Sequence, residues 1–480
     1  MTPQPSMPST PRWGLFQLEL RGPAGGNPFV GVTLGARFEH DGRTVQVQGF
    51  YDGDGIYRVR FMPDAPGPWR YVTESNCPDL GGRTGAFQCT APEPGHHGPV
   101  RVADTFHFAY ADGTPYTPVG TTAYAWIHQD EDLQRETLAT LAGGPFNKLR
   151  MLLFPKDYTY CRNEPRLFPL EGRGPGAWDY ARFNPAFFRH LEGRIEALGR
   201  LGIEADLILF HPYDRWGFSS MPAEADDRYL RYVVARLAAY RNVWWSLANE
   251  YDFLKTKTPA DWDRFFQIVQ QGDPYAHLRS IHNGVTHYDH AKPWVTHASI
   301  QHGDAPRPQE LAHWREAYRK PVVIDENRYE GNLPYEWGCL PARELVHRFW
   351  LATVGGAYGG HSETYLHPQD RLWWCKGGVL RGESPPRLAF LRKILEEGPP
   401  VGFSPVSPYS ARQRDDVYLY YFGNSQPAEW DFVLPEAITY NLQIIDPWAM
   451  TLSPAGTFRG TFRMLLPGKP YLAVRAIRVE

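Results

Sequence analysis

The stretch NPAFFRHLEGRIEALGRLGIEADLILF, residues 184–210, decides how the middle of this 480-residue chain is read. Asn184 suits a helix N-cap, because its side-chain oxygen can accept from a backbone N–H that has no helical partner. Pro185 suits the first helical position, where no donor is needed. Phe187, Leu191, Ile195 and Leu198 follow at helical spacing, Gly202 ends the helix, and EADLILF is an apolar run of strand length. A helix feeding a buried strand is the repeating unit of an α/β fold with a parallel sheet.

The same unit recurs on both sides. Strand candidates are YTPVGTTAYAW (116–126), FNKLRMLLFPK (146–156), NVWWSLANE (242–250), LRSIHNG (278–284), WVTHASIQH (294–302), KPVVIDEN (320–327) and AYGGHSETYL (357–366). Helices are expected around 224–240, 259–271, 308–318 and 342–354. With EADLILF, strands ending near residues 122, 154, 210, 249, 283, 300, 325 and 364 make eight, the pattern of a (β/α)8 TIM barrel. An open doubly wound sheet is the competitor, but no GxGxxG follows a first strand and no Walker motif is present.

The flanks read differently. Over 12–92 apolar residues alternate, as in Phe16, Leu18 and Leu20, or Val30, Val32, Leu34, Ala36 and Phe38, and Gly/Pro clusters separate the runs. Period-two runs at short intervals predict an antiparallel β-sandwich. APEPGHHGPV (91–100) reads as a linker, and VYLYYFG, EWDFVLP, YNLQIID and YLAVRAIRVE after residue 402 predict a small β-domain. The expected division is therefore a sandwich over 1–95, a catalytic barrel over 96–400 and a β-domain over 401–480.

Composition narrows the partners. The net charge of −3 and the lack of a basic cluster argue against nucleic acid. No apolar run approaches the length of a membrane span. MTPQPSMPSTPRWG lacks the charged and apolar regions of a secretion signal, and five scattered cysteines fit a reducing compartment, so a cytoplasmic location is expected. Aromatic residues make up 14% of the chain, which serves either a large core or the stacking of sugar rings.

A TIM barrel builds its active site at the C-terminal ends of its strands. Strand four ends in Asn249-Glu250 and strand seven in Asp325-Glu326. Strands four and seven lie on opposite sides of a barrel mouth, so their carboxylates can converge to the ~5–5.5 Å of a retaining glycosidase. Alternation in VVIDE groups Val322, Ile324 and Glu326 on one face and points Asp325 at the helix layer. This favours Glu326 over Asp325 as the carboxylate paired with Glu250. Candidate substrate-binding residues at the other strand ends are Arg150, Lys156, His211, Asp214, Asn249, His297, His302 and His361, with Trp126, Trp216 and Trp374 as sugar platforms. Arg150 and His297 could also keep Glu326 ionised. The long Gly/Pro- and aromatic-rich connection from Asp157 to Arg182 is expected to wall the site into a pocket.

WWSLANE followed by PVVIDE resembles the clan A glycoside hydrolases, in which the acid/base follows strand four and the nucleophile follows strand seven. The resemblance implies Glu250 as acid/base, Glu326 as nucleophile, and a hydrogen bond from Asn249 to a substrate 2-hydroxyl. FNKLRMLLFPKDY, DLILFHPYDRWGF, VWWSLANEYDF, YEGN and WWCKGGVLRGESP extend it to a bacterial family that joins domain of unknown function 5060, a 4038-like barrel and domain 5605. One departure stands out. Many clan A enzymes orient the nucleophile with a tyrosine at the end of strand six, where this chain offers His297 and His302.

The function expected is a retaining O-glycosidase acting on an oligosaccharide or glycoside, with no cofactor and no metal; homo-oligomer formation is left open. Two alternatives differ in class. A metal-dependent barrel hydrolase would draw on the histidines between 277 and 302, but strand one lacks the His-x-His such enzymes carry. A non-catalytic carbohydrate-binding protein would rely on the β-domains instead.

Overall fold

The computed structural model describes residues 7–479. The first six residues of the N-terminal segment discussed above lie outside the described residues. Two compact units form: one takes the residues up to Arg101, Tyr110–Gly113 and Leu152–Arg279, the other Val102–Ala109, Thr114–Met151 and the chain from Ser280 onward.

In the first unit, the strands Phe16–Arg21, Ile56–Phe61, Arg43–Tyr51, Leu34–His40, Gly67–Ser75 and Thr84–Thr90 are neighbours in that order, and Ser9–Pro11 pairs at the far edge. They form the N-terminal β-sandwich. Its core is aromatic: Phe16 stacks on Phe87 at 4.0 Å and Phe38 on Phe61 at 4.1 Å, with Trp69 fully buried. Part of the aromatic excess is thus core, not sugar platform. The run from Val30 is not all strand. Pro28–Gly31 is a short helix and the strand starts at Leu34, because Pro28 has no N–H for a ladder and its fixed φ suits a first helical turn. Arg236 is buried between Asp52, at 2.7 Å, and Glu192, which also takes Arg60 at 2.7 Å. This network ties the sandwich to the helices Pro185–Arg200 and Ala223–Leu237.

Eight parallel strands form the central barrel: β1 (Gly120–Thr122), β2 (Lys148–Leu152), β3 (Glu204–Phe210), β4 (Val243–Ala248), β5 (Arg279–Ser280), β6 (Ala298–Gln301), β7 (Val322–Glu326) and β8 (Tyr358–His361). Their order in the sheet is β5-β4-β3-β2-β1-β8-β7-β6. A parallel bridge from His282 to Ser299 joins the two ends. Asn184 caps its helix by accepting from the Ala186 N–H, as its position in the sequence predicts. The connection after β2 holds an unexpected hairpin, Leu170–Gly172 with Trp178–Phe183. Gly172 permits it: φ is +148°, and a Cβ there would lie 2.5 Å from the Ala177 carbonyl.

In the second unit, Ser404–Ser407, Ser410–Gln413, Val417–Tyr421, Ala473–Arg478, Tyr440–Asp446 and Thr451–Phe458 form a six-stranded sheet in that order. Glu429–Val433 pairs with Thr461–Leu465. Tyr418, Tyr420, Phe432, Tyr440 and Met464 fill the core of this C-terminal β-domain.

Among the described residues no helix is long and apolar enough to cross a membrane. Cys77, Cys89 and Cys339 are free thiols, and Cys161 and Cys375 are disulfide-bonded.

Candidate active site

β7 carries the first of the two candidate carboxylates. Val322 and Ile324 pack on Leu311 and Ala352 in the helix layer. Asp325 therefore points the other way, to the barrel interior, which corrects the alternation read from VVIDE. There it meets Lys148 Nζ at 2.6 Å and accepts from Ser299 Oγ at 2.5 Å. Glu326 faces inward as well. Ile324 pairs with Ile300 and Glu326 with Gln301, so Asp325 is the extra residue of a bulge. A bulge breaks the period of two and re-aims the next side chain.

The two carboxylates are then divided by their neighbours. Asp325 is 2% exposed and Lys148 1%, so this pair is closed off as a structural ion pair. The Glu326 side chain keeps 13% of its surface open. Tyr124, two residues past β1, donates its hydroxyl hydrogen to Oε1 of Glu326. Arg150 Nη1 stands 3.6 Å from the same oxygen and His282 Nε2 3.4 Å. Burial alone would raise both carboxylates. Lys148 and Arg150 overcome it at Asp325, and His282, Arg150 and Tyr124 overcome it at Glu326, so both stay well below the usual carboxylate range.

The second candidate carboxylate lies beyond β4. Asn249 and Glu250 follow Ala248, and Glu250 sits in the left-handed region with φ 47° and ψ 53°. A non-glycine residue is held there only when its surroundings over-determine it, at a cost of about 1–3 kcal/mol, and such strain gathers at functional sites. Asn249 Nδ2 donates to Glu250 Oε2 at 3.0 Å, and the Tyr213 hydroxyl donates to the same oxygen. Lys156 Nζ lies 4.2 Å from the centre of the Tyr213 ring. His211 accepts from the Tyr213 N–H at its Nδ1, 3.2 Å away, and its Nε2 lies 3.3 Å from the Phe154 carbonyl. Burial, with Lys156 nearby, pushes His211 down to about 3, so it is a neutral brace for the loop that carries Tyr213.

The remaining sequence candidates fall in several places. Asp214 accepts from the backbone N–H groups of Trp216, Gly217 and Ser219, so it builds the loop after β3. Trp126 and Trp216 are 0% and 2% exposed. Trp126 donates to Met151 Sδ, and Trp216 is capped by Arg215 at 4.8 Å. His297 precedes β6, at its N-terminal end, so its reading as a mouth residue is corrected; burial pushes it down to about 3. His302 gives its backbone N–H to the Glu326 carbonyl, while its ring lies 3.5 Å from Glu310. His361 is fully buried, with its ring on Phe146.

Trp374 belongs to an aromatic file in the second unit. Tyr335, 42% exposed, stacks on Trp337 at 5.7 Å and 9°. Trp337 lies 5.0 Å from Trp374, and Trp374 is edge-on to Tyr124 at 5.7 Å. The file runs from the surface to the tyrosine that holds Glu326. Sequence reasoning missed Tyr124, Trp337 and Tyr335 as site residues, and placed Tyr213 and His282 at the ends of strands three and five without assigning them a role. TTAYAW and HPYDRW follow strands one and three, so position marked Tyr124 and Tyr213 as strand-end groups; nothing in YEWG marked Trp337.

Similarity to known proteins decides the family. The apiosidase-like catalytic domain matches residues 103–366, over half of the chain. The chain belongs to the apiosidase-like family. Domains of unknown function 5060 and 5605 match residues 9–76 and 407–477 of this family member. A solved structure from Bacteroides vulgatus ATCC 8482, provisionally named a glycoside hydrolase, is 40% identical with a TM-score of 0.94, over 98% of this chain and 100% of that one. A glycoside hydrolase family 5 protein from the same organism is 14% identical with a TM-score of 0.63, over 80% of this chain and 94% of its own, and shares the fold. No curated protein sequence matches this chain. Family and the 40%-identical relative make the apiosidase-like chain a glycosidase.

Proposed function

We propose that the chain hydrolyses an O-glycosidic bond with retention of configuration, with Glu326 as nucleophile and Glu250 as acid/base. The observation that carries this reading is the setting of Glu326: a buried carboxylate kept ionised by Tyr124, His282 and Arg150, yet still open to solvent. Such a carboxylate can attack an anomeric carbon, while the neighbouring Asp325 is neutralised by Lys148.

In the first step Glu250 protonates the departing oxygen as Glu326 forms the glycosyl-enzyme bond. In the second, Glu250 takes a proton from water, and the water displaces Glu326 from the sugar. Tyr213 and Asn249 orient Glu250. Lys156 beside Tyr213 and the aromatic file ending in Trp374 are the groups suited to sugar hydroxyls and sugar faces. Arg150 carries a fixed positive charge that favours the ionised nucleophile.

A panel of aryl glycosides tests the reading, with an aryl apioside included because of the family. The expected result is turnover of at least one member, abolished by Glu326→Ala. Turnover that survives Glu326→Ala would refute the nucleophile assignment.

A further inference from the structure

Glu330, His361 and Glu363 form a second cluster, in the second unit and separate from the groups that hold Glu326. Their exposures are 0%, 0% and 2%. One ligand-type atom from each, a ring nitrogen and two carboxylate oxygens, lies within 4.8 Å of the other two.

The carboxylates take their hydrogen bonds from one hydroxyl and four backbone N–H groups. Glu330 accepts from the Tyr365 hydroxyl at 2.8 Å and the Glu383 N–H at 2.7 Å on Oε1, and from the Ser384 N–H at 3.1 Å on Oε2. Glu363 accepts from the N–H groups of Arg381 at 2.5 Å and Gly382 at 2.8 Å. Arg381 thus contributes its backbone N–H, not a guanidinium, to this bond. A Cβ at Gly382 would lie 2.5 Å from Glu330 Oε2 and 2.6 Å from Glu363 Oε2, so both carboxylates close over a bare glycine. Two buried carboxylates this close call for a positive partner or a proton.

The histidine supplies the independent observation. Its Nδ1 lies 2.9 Å from Thr121 Oγ1, and its buried Nε2 has no hydrogen-bond partner. Thr121 Oγ1 also accepts from Trp373 Nε1 at 2.8 Å. A hydroxyl oxygen has two lone pairs, so it can accept from Nδ1–H as well, which leaves Nε2 as a bare lone pair. An imidazole whose far nitrogen donates to an oxygen is how metal-binding histidines are oriented.

We propose that Glu330, Glu363 and His361 bind one divalent cation of the zinc–manganese class. One imidazole with two carboxylates is a mixed N/O donor set, which suits these ions better than the all-oxygen shell of calcium or magnesium. The cation is structural: it pins the 381–384 turn, and with it the start of the helix Ser384–Glu396, to the end of β8. The glycosidase reading plays no part in this assignment.

Metal content of the purified full chain is measured first. Thermal unfolding follows as isolated, after chelation, and after dialysis with Zn2+ or Mn2+. About one equivalent of cation per chain is expected, with a fall in Tm of a few degrees on chelation, restored by one of the two ions. His361→Gln and Glu363→Gln should each lower cation affinity at least ~10-fold. Less than about a tenth of an equivalent in the native protein, with no Tm response to either ion, would overturn the proposal and leave a shared proton between the carboxylates. Equal binding by native protein and both variants would place the ion elsewhere and overturn it too. Should the variants fail to fold, chelation and add-back on the native chain decide alone.

Discussion

Tyr124, just beyond β1, donates its hydroxyl hydrogen to Oε1 of Glu326 at the end of β7. This bond has a kinetic consequence. Tyr124→Phe keeps the ring against Trp374 and removes only the donor. A hydrogen bond to a charged group is worth about 1.5–3 kcal/mol, so kcat/KM should fall ~10- to 100-fold. The donor favours ionised Glu326, so its loss raises the pKa of the nucleophile. The acid limb of the pH–rate profile should therefore move to higher pH, which a kcat/KM profile of both proteins checks.

Lys148 and Asp325 set stability. Lys148→Met takes from the buried Asp325 the nearer of its two cations and leaves Arg150 at 4.0 Å, and removing one partner of such a pair costs about 3–5 kcal/mol. The folded pKa of Asp325 is depressed, so its contribution is present above the unfolded carboxylate pKa, near ~3.9, and is lost as pH falls through the folded value. The variant's deficit should thus be large at neutral pH and shrink on acidification, as Asp325 takes up a proton. Urea unfolding at several pH values measures it, and Asp325→Asn in the same chain should recover part of the loss.

What the sequence disclosed follows from which interactions are local. The helix from Pro185 and the strand Glu204–Phe210 are written in caps and periodicity, and both appear where those signals place them. Strand order put Glu250 and Glu326 at strand ends. The bulge at Asp325 was not legible, because a bulge is specified by pairing with β6 and not by VVIDE itself. Tyr124 and His282 reach Glu326 from strands far away in sequence, and a histidine's burial depends on which end of its strand it occupies. His297 shows the cost of misjudging that end: strand six is shorter than its apolar run and starts at Ala298.

Glu250 should matter in proportion to leaving-group quality. General acid help contributes about 10²–10⁴-fold. Glu250→Ala should lose that much on a natural glycoside and far less on an activated aryl glycoside, and added azide should yield a glycosyl azide of retained configuration. At Glu326→Ala, azide should instead yield the inverted product. Kinetics on both substrates with NMR of the azide adducts distinguish the roles.

Trp337 is a binding group in this reading and not a chemical one. Trp337→Ala removes the middle of the file between Tyr335 and Trp374. Aromatic stacking of about 0.5–1.5 kcal/mol corresponds to a ~2- to 10-fold rise in KM with kcat little changed. A fall in kcat at constant KM would place the residue elsewhere in the mechanism.

The most direct test is the position of the covalent bond. The protein is inactivated with a slow 2-deoxy-2-fluoro glycosyl fluoride of the accepted sugar, digested, and its peptides are mapped by mass spectrometry. One glycosyl group per chain, carried on Glu326, is the predicted result. A label on Asp325 or Glu250, or unlabelled protein that releases product with inverted configuration, would contradict it.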